Sequence, residues 1–553
     1  MKYITSLILL LIVPLLSFSA DEYQFIVKEK PLLAAKNINS GLQPESFDAA
    51  KTIFIKADGK SLEEVEASLK KSGNFTLVEP VIEIKVIMPE STQYLSEPIK
   101  TLDRSSLNDP FFQYQDYWFQ NEPQRNIYGR SNIINTPLLA ATTSKIRVGV
   151  VDGPFDRHED LSYKEGYRFI EDDDKLIGPD YLSDCTSDLS HGTNVAGVIA
   201  ATANNGVGMA GIIDADIVAA TAITCKGSGS SIAMLESILW LSGAKIEGIP
   251  IISEPVDIIN LSIGGGSLGC GTYSQSVIDY ASSKGIVIVV AAGNNNIDVQ
   301  NGYPSSCNNI IVAGASNKRG HKTSFSNFGK KIDLMAEGDN VVATHKENEY
   351  LSVAGTSFSA PIIAATIAMA KYQRADLGIE SIRPLLKFTA SNISPTEPSD
   401  SNESCANERC GAGILDAATF VEELSRLSYS QDVSIRHVLA EDEYCDDHLL
   451  FSDSNAQVSD LCSLNEVVFS EIHNLSEDHL YSLYRVPIGL DLTLSNATKL
   501  IETKESSAIV EKIDTDRYVY GFMSCFDGSC KNIAKINNIN IEPPLSCNLA
   551  SRL

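Results

Sequence analysis

Five apolar runs in the middle of the chain, Ile146 to Val151, Ile217 to Ile223, Asp257 to Ile263, Ile286 to Ala292 and Ile310 to Ala315, are short, nearly continuous and separated by helix-length stretches. A strand apolar on both faces must be covered on both, and such spacers make parallel crossovers, so the pattern predicts a doubly wound, mainly parallel α/β domain. Ahead of it the pattern changes. Gln24 to Val27 and Thr52 to Ile55 read as strands, Ser61-Leu62-Glu63-Glu64 as a capping box opening a helix with Leu62, Val65 and Leu69 on one face, and Val78 to Met88 as a further alternating strand after Gly73-Asn74. A small α+β unit is expected over residues 21–104. Beyond about Tyr429, scattered runs such as Tyr518 to Met523 predict a small, β-rich domain over 429–553, whose function the sequence does not reveal.

Two apolar stretches bear on the membrane. Leu7 to Leu16 follows Met1-Lys2 and precedes the small residues Ser17-Phe18-Ser19-Ala20 and acidic Asp21-Glu22, the layout of a secretory signal peptide over 1–20. It is shorter than the about 20 apolar residues a spanning helix needs. Ala360 to Ala370 is the longest later run and reads as a buried core helix. The expected location is therefore outside the cell, or the periplasm of a two-membrane bacterium, with no membrane span in the mature protein.

Charge and cysteine usage agree with export. The 553-residue chain carries 71 Asp and Glu against 44 Lys and Arg, a formal net charge of −27. That field disfavours nucleic acid and anionic membranes as partners. Eleven cysteines without the short paired spacings of a zinc site suit an oxidising compartment. The run Glu171-Asp172-Asp173-Asp174 offers hard oxygen ligands of the kind calcium takes, although a solvated loop is the plainer reading.

Three segments carry candidate chemistry: Val150-Val151-Asp152-Gly153, His191-Gly192-Thr193-Asn194-Val195-Ala196-Gly197 and Gly355-Thr356-Ser357-Phe358-Ser359-Ala360-Pro361. Taken singly they read as a turn, a loop before a helix and a helix cap. Taken together they supply a carboxylate, an imidazole and a hydroxyl. A serine hydroxyl is a poor nucleophile until an imidazole takes its proton, and the imidazole needs a carboxylate to fix its tautomer.

The order Asp, His, Ser and the small residues around each resemble the subtilisin family of serine proteases. The resemblance implies Asp152, His191 and Ser357 as catalytic residues. Ala291-Ala292-Gly293-Asn294 is similar to the family segment whose asparagine donates to the oxyanion. Asn260 to Gly265 resembles the segment whose backbone pairs with substrate, implying Ser262, Ile263, Gly264 and Gly265 as one wall of the groove, and Ser228 and Gly229 as the opposite wall. It also implies the pairings Cys185 with Cys225, Cys270 with Cys307 and Cys405 with Cys410, leaving an odd five: Cys445, Cys462, Cys525, Cys530 and Cys547.

In the same light, residues 21–104 resemble a propeptide that assists folding and blocks the groove, and 105–428 a catalytic domain closing near Gly413 to Ala418. Asn108-Asp109-Pro110-Phe111, Gln115 and Trp118 look like the start of a mature subtilase, so processing is expected shortly before them. The implied activity is secreted, self-maturing endopeptidase action on proteins bound in extended form, with no cofactor required for the chemistry. A structural calcium is compatible with the resemblance, its ligands unassigned, and oligomeric state is open. Three departures stand out: Gly153 where a hydroxyl residue is usual, Asn194 in place of a second histidine, and Phe358-Ser359 in place of Met-Ala. Gly153 keeps open the alternative of an inactive subtilisin-like scaffold that binds proteins.

Overall fold

The computed structural model describes residues 107–136 and 145–427, short stretches at 173–174, 267–268, 395–397, 399 and 407–408 excepted. It also describes 22–29, 51–56, 60–72, 75–86, 91–95 and short strands between 435 and 542. The signal-like segment 1–20 and the five carboxy-terminal cysteines, apart from Cys525 and Cys530 on strands, lie outside the described residues. The chain divides into two compact units, the first made of 1–135, 139–379 and 392–415.

The first unit is built on seven parallel strands: β6 (Arg147–Asp152), β7 (Tyr163–Arg168), β8 (Asp216–Thr221), β10 (Ile258–Leu261), β12 (Val287–Ala291), β13 (Ile311–Ser316) and β14 (Leu334–Glu337). Their order is β14-β13-β12-β10-β6-β8-β7. All six residues of β6 and all five of β12 are buried, as two-faced coverage requires. Each fully buried Val or Ile on them contributes about 1.5–3 kcal/mol. The helices α2 (His191–Ala200), α3 (Ser231–Leu241), α4 (Thr272–Ser283) and α5 (Thr356–Gln373) cover the sheet, and α5 is buried from Thr356 to Lys371. Because β6 lies inside the sheet and the chain leaves it in both directions, the carboxyl ends of β6 and β10 flank a switch in strand order. Crevices at such points are where doubly wound sheets hold ligands.

The amino-terminal residues form their own small core. β1 (Glu22–Glu29) pairs antiparallel with β2 (Lys51–Lys56) and β3 (Phe75–Pro80), and α1 (Leu62–Ser72) lies against them. Phe25, Val27, Val65 and Val78 pack together with Leu62 and Leu69 against them. The capping box forms as the sequence predicts: Ser61 N–H donates to Glu64 Oε2 at 2.9 Å and Glu64 N–H to Ser61 Oγ at 3.3 Å.

The run Val78 to Met88 is not one strand. It breaks after Pro80, and Ile82 N–H turns away to donate to Ser231 Oγ at 3.0 Å. The chain then enters a different sheet as β4 (Glu83–Val86), between β9 (Ser228–Ser230) and β11 (Ile263–Gly264). A last short sheet has the order β15 (Val341–His345), β16 (Glu349–Ala354), β5 (Ser91–Tyr94). In the second unit the described strands pair into a four-stranded and a five-stranded sheet, and a helix spans Ala417–Leu427.

Candidate active site

Asp152 is the last residue of β6 and His191 the first of α2, and both are buried. His191 Nδ1 lies 2.8 Å from Asp152 Oδ1, which also accepts Gly153 N–H at 2.8 Å. A carboxylate oxygen so placed accepts from Nδ1–H, and Nε2 is then the basic nitrogen. Nε2 has no hydrogen-bond partner among the described residues.

Ser357 is the second residue of α5. Its hydroxyl donates to the Ser262 carbonyl at 3.2 Å, and Ser262 Oγ donates to the Ser357 carbonyl at 2.8 Å. Asn260 Nδ2 donates to Ser262 Oγ at 2.9 Å, so the turn after β10 is fastened to the start of α5.

Asn294 follows β12. Its Oδ1 accepts both Thr356 N–H at 3.0 Å and Thr356 Oγ1 at 2.9 Å, which turns the amide nitrogen toward Gly355 and the head of α5. Thr356 also accepts Gly293 N–H at 3.0 Å. Sequence reasoning allowed Thr356 only a capping role, whereas its hydroxyl orients Asn294; the adjacency of the Gly-Asn and Gly-Thr-Ser segments leaves no trace in linear spacing.

The departures have local reasons. Gly153 adopts φ +141°, and a Cβ there would come within 2.9 Å of the Ile223 carbonyl. Its own N–H takes up the Asp152 oxygen that a neighbouring hydroxyl would otherwise serve. Asn194 donates to Thr344 O at 2.5 Å and lies 3.3 Å from His345 Nδ1, tying α2 to β15. Phe358 is fully buried with its ring 5.8 Å from that of His191, and Ser359 Oγ donates to Ala336 O at 3.1 Å.

The expected groove walls face one another across a strand of the chain itself. Val86 pairs with Ile263 and Lys85 with Gly264 on one side, while Lys85, Ile84 and Glu83 pair with Ser228, Gly229 and Ser230 on the other. Val86 N–H also donates to Gly227 O at 3.0 Å. The approach to β4 is anchored by Glu79, 6% exposed, whose carboxylate accepts Tyr273 N–H at 2.7 Å and Ser274 Oγ–H at 2.6 Å at the amino end of α4.

The structure bonds Cys185 to Cys225, Cys270 to Cys307 and Cys405 to Cys410, with Cα separations of 5.5, 4.9 and 5.2 Å. The first joins the loop before His191 to the loop before β9. Of the acidic run, Asp172 is buried and accepts Cys225 N–H, while Asp173 and Asp174 lie outside the described residues. Asp172, Cys185 and Cys225 are the one group of three potential metal donors among the described residues, and with both sulfurs in a disulfide they do not suit a metal.

Residues 143–413 match the model of the subtilase family. The chain is 33% identical over 306 residues to an extracellular protease of Xanthomonas campestris pv. campestris, covering 50% of this chain and 51% of that protein. It is 38% identical over 186 residues to an extracellular basic protease of Dichelobacter nodosus, of which it spans 31%. With subtilisin DY of Bacillus licheniformis the identity is 31% over 255 residues, 45% of this chain and 85% of that one. Among solved structures, one described as proteases from Pseudoalteromonas arctica PAMC 21717 matches with a TM-score of 0.50 and 30% identity, over 58% of this chain and all of that one. The match thus spans about half of the Xanthomonas relative and about a third of the Dichelobacter relative.

Proposed function

The chain belongs to the subtilase family, and on that premise we propose that it is an exported serine endopeptidase that cuts proteins bound in extended form and matures by cutting itself. One observation carries the reading. The chain's own β4 lies as a substrate-like strand between β9 and β11, and its register points toward the turn where the Ser262 carbonyl meets Ser357.

In the proposed reaction Ser357 Oγ turns to His191, loses its proton to Nε2 and forms a bond to the scissile carbonyl carbon. The carbonyl π electrons move onto oxygen, where Asn294 Nδ2 donates to the new charge. Collapse breaks the C–N bond, and His191 returns the proton to the leaving amine. Water, deprotonated by the same nitrogen, then releases the acyl group. Asp152 holds Nδ1–H throughout and stabilises the imidazolium. This chemistry uses no cofactor, and a calcium titration followed by melting temperature would detect a structural ion.

β4 and β5 are joined by residues 87–90, which lie outside the described residues, and we place the first self-cleavage within that link, ahead of the processing point shortly before Asn108 that the resemblance implies for the mature chain. Export is supported by relatives named extracellular proteases. Among the described residues no helix is long and apolar enough to cross a membrane.

The test is labelling of the matured protein with a fluorophosphonate, with the adduct located by mass spectrometry and Ser357→Ala as control. An adduct on Ser357 alone supports the protease. No adduct on folded protein freed of its amino-terminal segment would favour the inactive protein-binding scaffold.

A further inference from the structure

Resting on the protease reading, a second strand of the precursor occupies the cleft from the other side. β5 pairs antiparallel with β16 in the register Ser91 with Ala354, Thr92 with Val353, Gln93 with Ser352 and Tyr94 with Leu351. Leu95 N–H extends the ladder to Tyr350 O at 3.0 Å. Ala354 is three residues before Ser357, so the near end of β5 approaches the nucleophile while the far end runs away from it. β4 ends opposite Ile263, the residue after Ser262, and β5 begins opposite Ala354, and only residues 87–90 separate them along the chain.

The far end of β5 is fastened by side chains. Tyr94 OH donates to Asp188 Oδ2 at 2.6 Å, and its ring meets the His345 ring edge to face at 5.9 Å. Asp188 is held in turn by His345 at 3.4 Å and Lys346 at 3.4 Å, and it lies three residues before His191. The bond to Asp188 pushes the Tyr94 phenol up to about 12, so it stays a donor across the working range. Leu95 packs against the small cluster of Phe111, Met209, Val342 and Tyr350.

We propose that residues 91–95, paired along β16 where the leaving side of a substrate must lie, are a second inhibitory strand that outlasts the first cut. Once the link 87–90 is broken, β4 leaves with the amino-terminal unit. Residues 91–95 stay covalently attached to the catalytic unit through 96–106. A product tethered by so short a segment rebinds at an effective concentration on the order of millimolar, far above that of a free peptide. Main-chain pairing supplies affinity for any extended segment, and the ring and hydroxyl of Tyr94 add selectivity for an aromatic hydroxyl at that distance from the cut.

The experiment uses the full chain and two substrates. One is a peptide p-nitroanilide, which has no residues beyond the scissile bond; the other is an internally quenched peptide reaching five residues beyond it. The first cut is timed by mass spectrometry. In the wild type, p-nitroanilide hydrolysis should rise as the amino-terminal unit is lost, while hydrolysis of the long peptide lags until 91–95 is displaced or trimmed. Tyr94→Ala should shorten that lag by about tenfold and Tyr94→Phe by a few-fold, in keeping with the loss of one hydrogen bond to a charged group at a half-exposed site. The two activities rising together in wild type and variants would overturn the proposal. Absence of any cut, of both activities and of fluorophosphonate labelling would instead overturn the protease reading beneath it.

Discussion

Glu79 is the residue whose loss should most directly separate inhibition from catalysis. Its carboxylate is buried, accepts one backbone and one side-chain donor at the head of α4, and lies where the positive end of the helix dipole favours an anion. A hydrogen bond to a charged group contributes roughly 1.5–3 kcal/mol. A carboxylate at a helix amino terminus adds about 0.3–1 kcal/mol. Water replaces part of this once the strand departs, so about 3 kcal/mol is a fair figure for Glu79→Ala, or about 150-fold in the affinity of the cut segment for the catalytic unit. Gly271 provides an independent handle. A Cβ there would lie 2.0 Å from the Glu79 side chain, yet its backbone, at φ −73°, accepts any residue. Gly271→Ala should therefore weaken the same contact while leaving the freed enzyme intact. The assay is the rate at which the cut amino-terminal fragment dissociates on dilution, read as regained p-nitroanilide hydrolysis. Release within threefold of wild type in both variants would refute the reasoning.

Other outcomes follow from the same geometry. Asn294→Ala should lower kcat by about 100- to 1000-fold with KM little changed, the range known for removal of one oxyanion donor in a subtilisin. Thr356→Val, which removes the hydroxyl that orients Asn294, should lower kcat by about tenfold, checked by steady-state kinetics. Gly153→Ser, although it restores the hydroxyl usual in the family, should destabilise by about 1–3 kcal/mol because φ +141° and the Ile223 carbonyl leave no room, measured by denaturant titration. Burial pushes Glu236 on α3 up to about 7 from 4.5. Its protonated form is the one the fold prefers, so the cost is absent below pH 4.5, grows as pH rises to 7 and is complete above. Glu236→Gln should raise stability by about 1–2 kcal/mol at pH 8 and leave it unchanged at pH 4, read from melting curves at the two pH values.

What the sequence made legible follows from which side chains decide each element. The five apolar runs correspond to β6, β8, β10, β12 and β13 because two-faced burial leaves a local signature. β7, Tyr-Lys-Glu-Gly-Tyr-Arg, is an edge strand with much of its length only half covered, and its composition does not mark it. The alternation of Val78 to Met88 concealed a change of sheet at Pro80, decided by the distant Ser231 hydroxyl. At the site, the proximity of Asp152 and His191 was legible from their motifs. The hydroxyl of Ser357 resting on Ser262, and the Thr356 clasp on Asn294, depend on loops brought together by three different strand ends. The conformation of Gly153 was invisible for the same reason: an unusual φ is written in what the neighbours forbid.

β4 is the middle strand of a three-stranded sheet, and under the proposed self-maturation the working enzyme is that sheet with its centre removed. The rims left behind present hydrogen-bonding groups to main chain, whatever the side chains. A folded protein keeps those same groups engaged in its own helices and sheets, so it can enter only by first unfolding locally over the length of the gap. Susceptibility would then track how readily a target frees an extended stretch more closely than the residues it contains, and a rigid protein would survive an enzyme that cuts its denatured chain at many bonds.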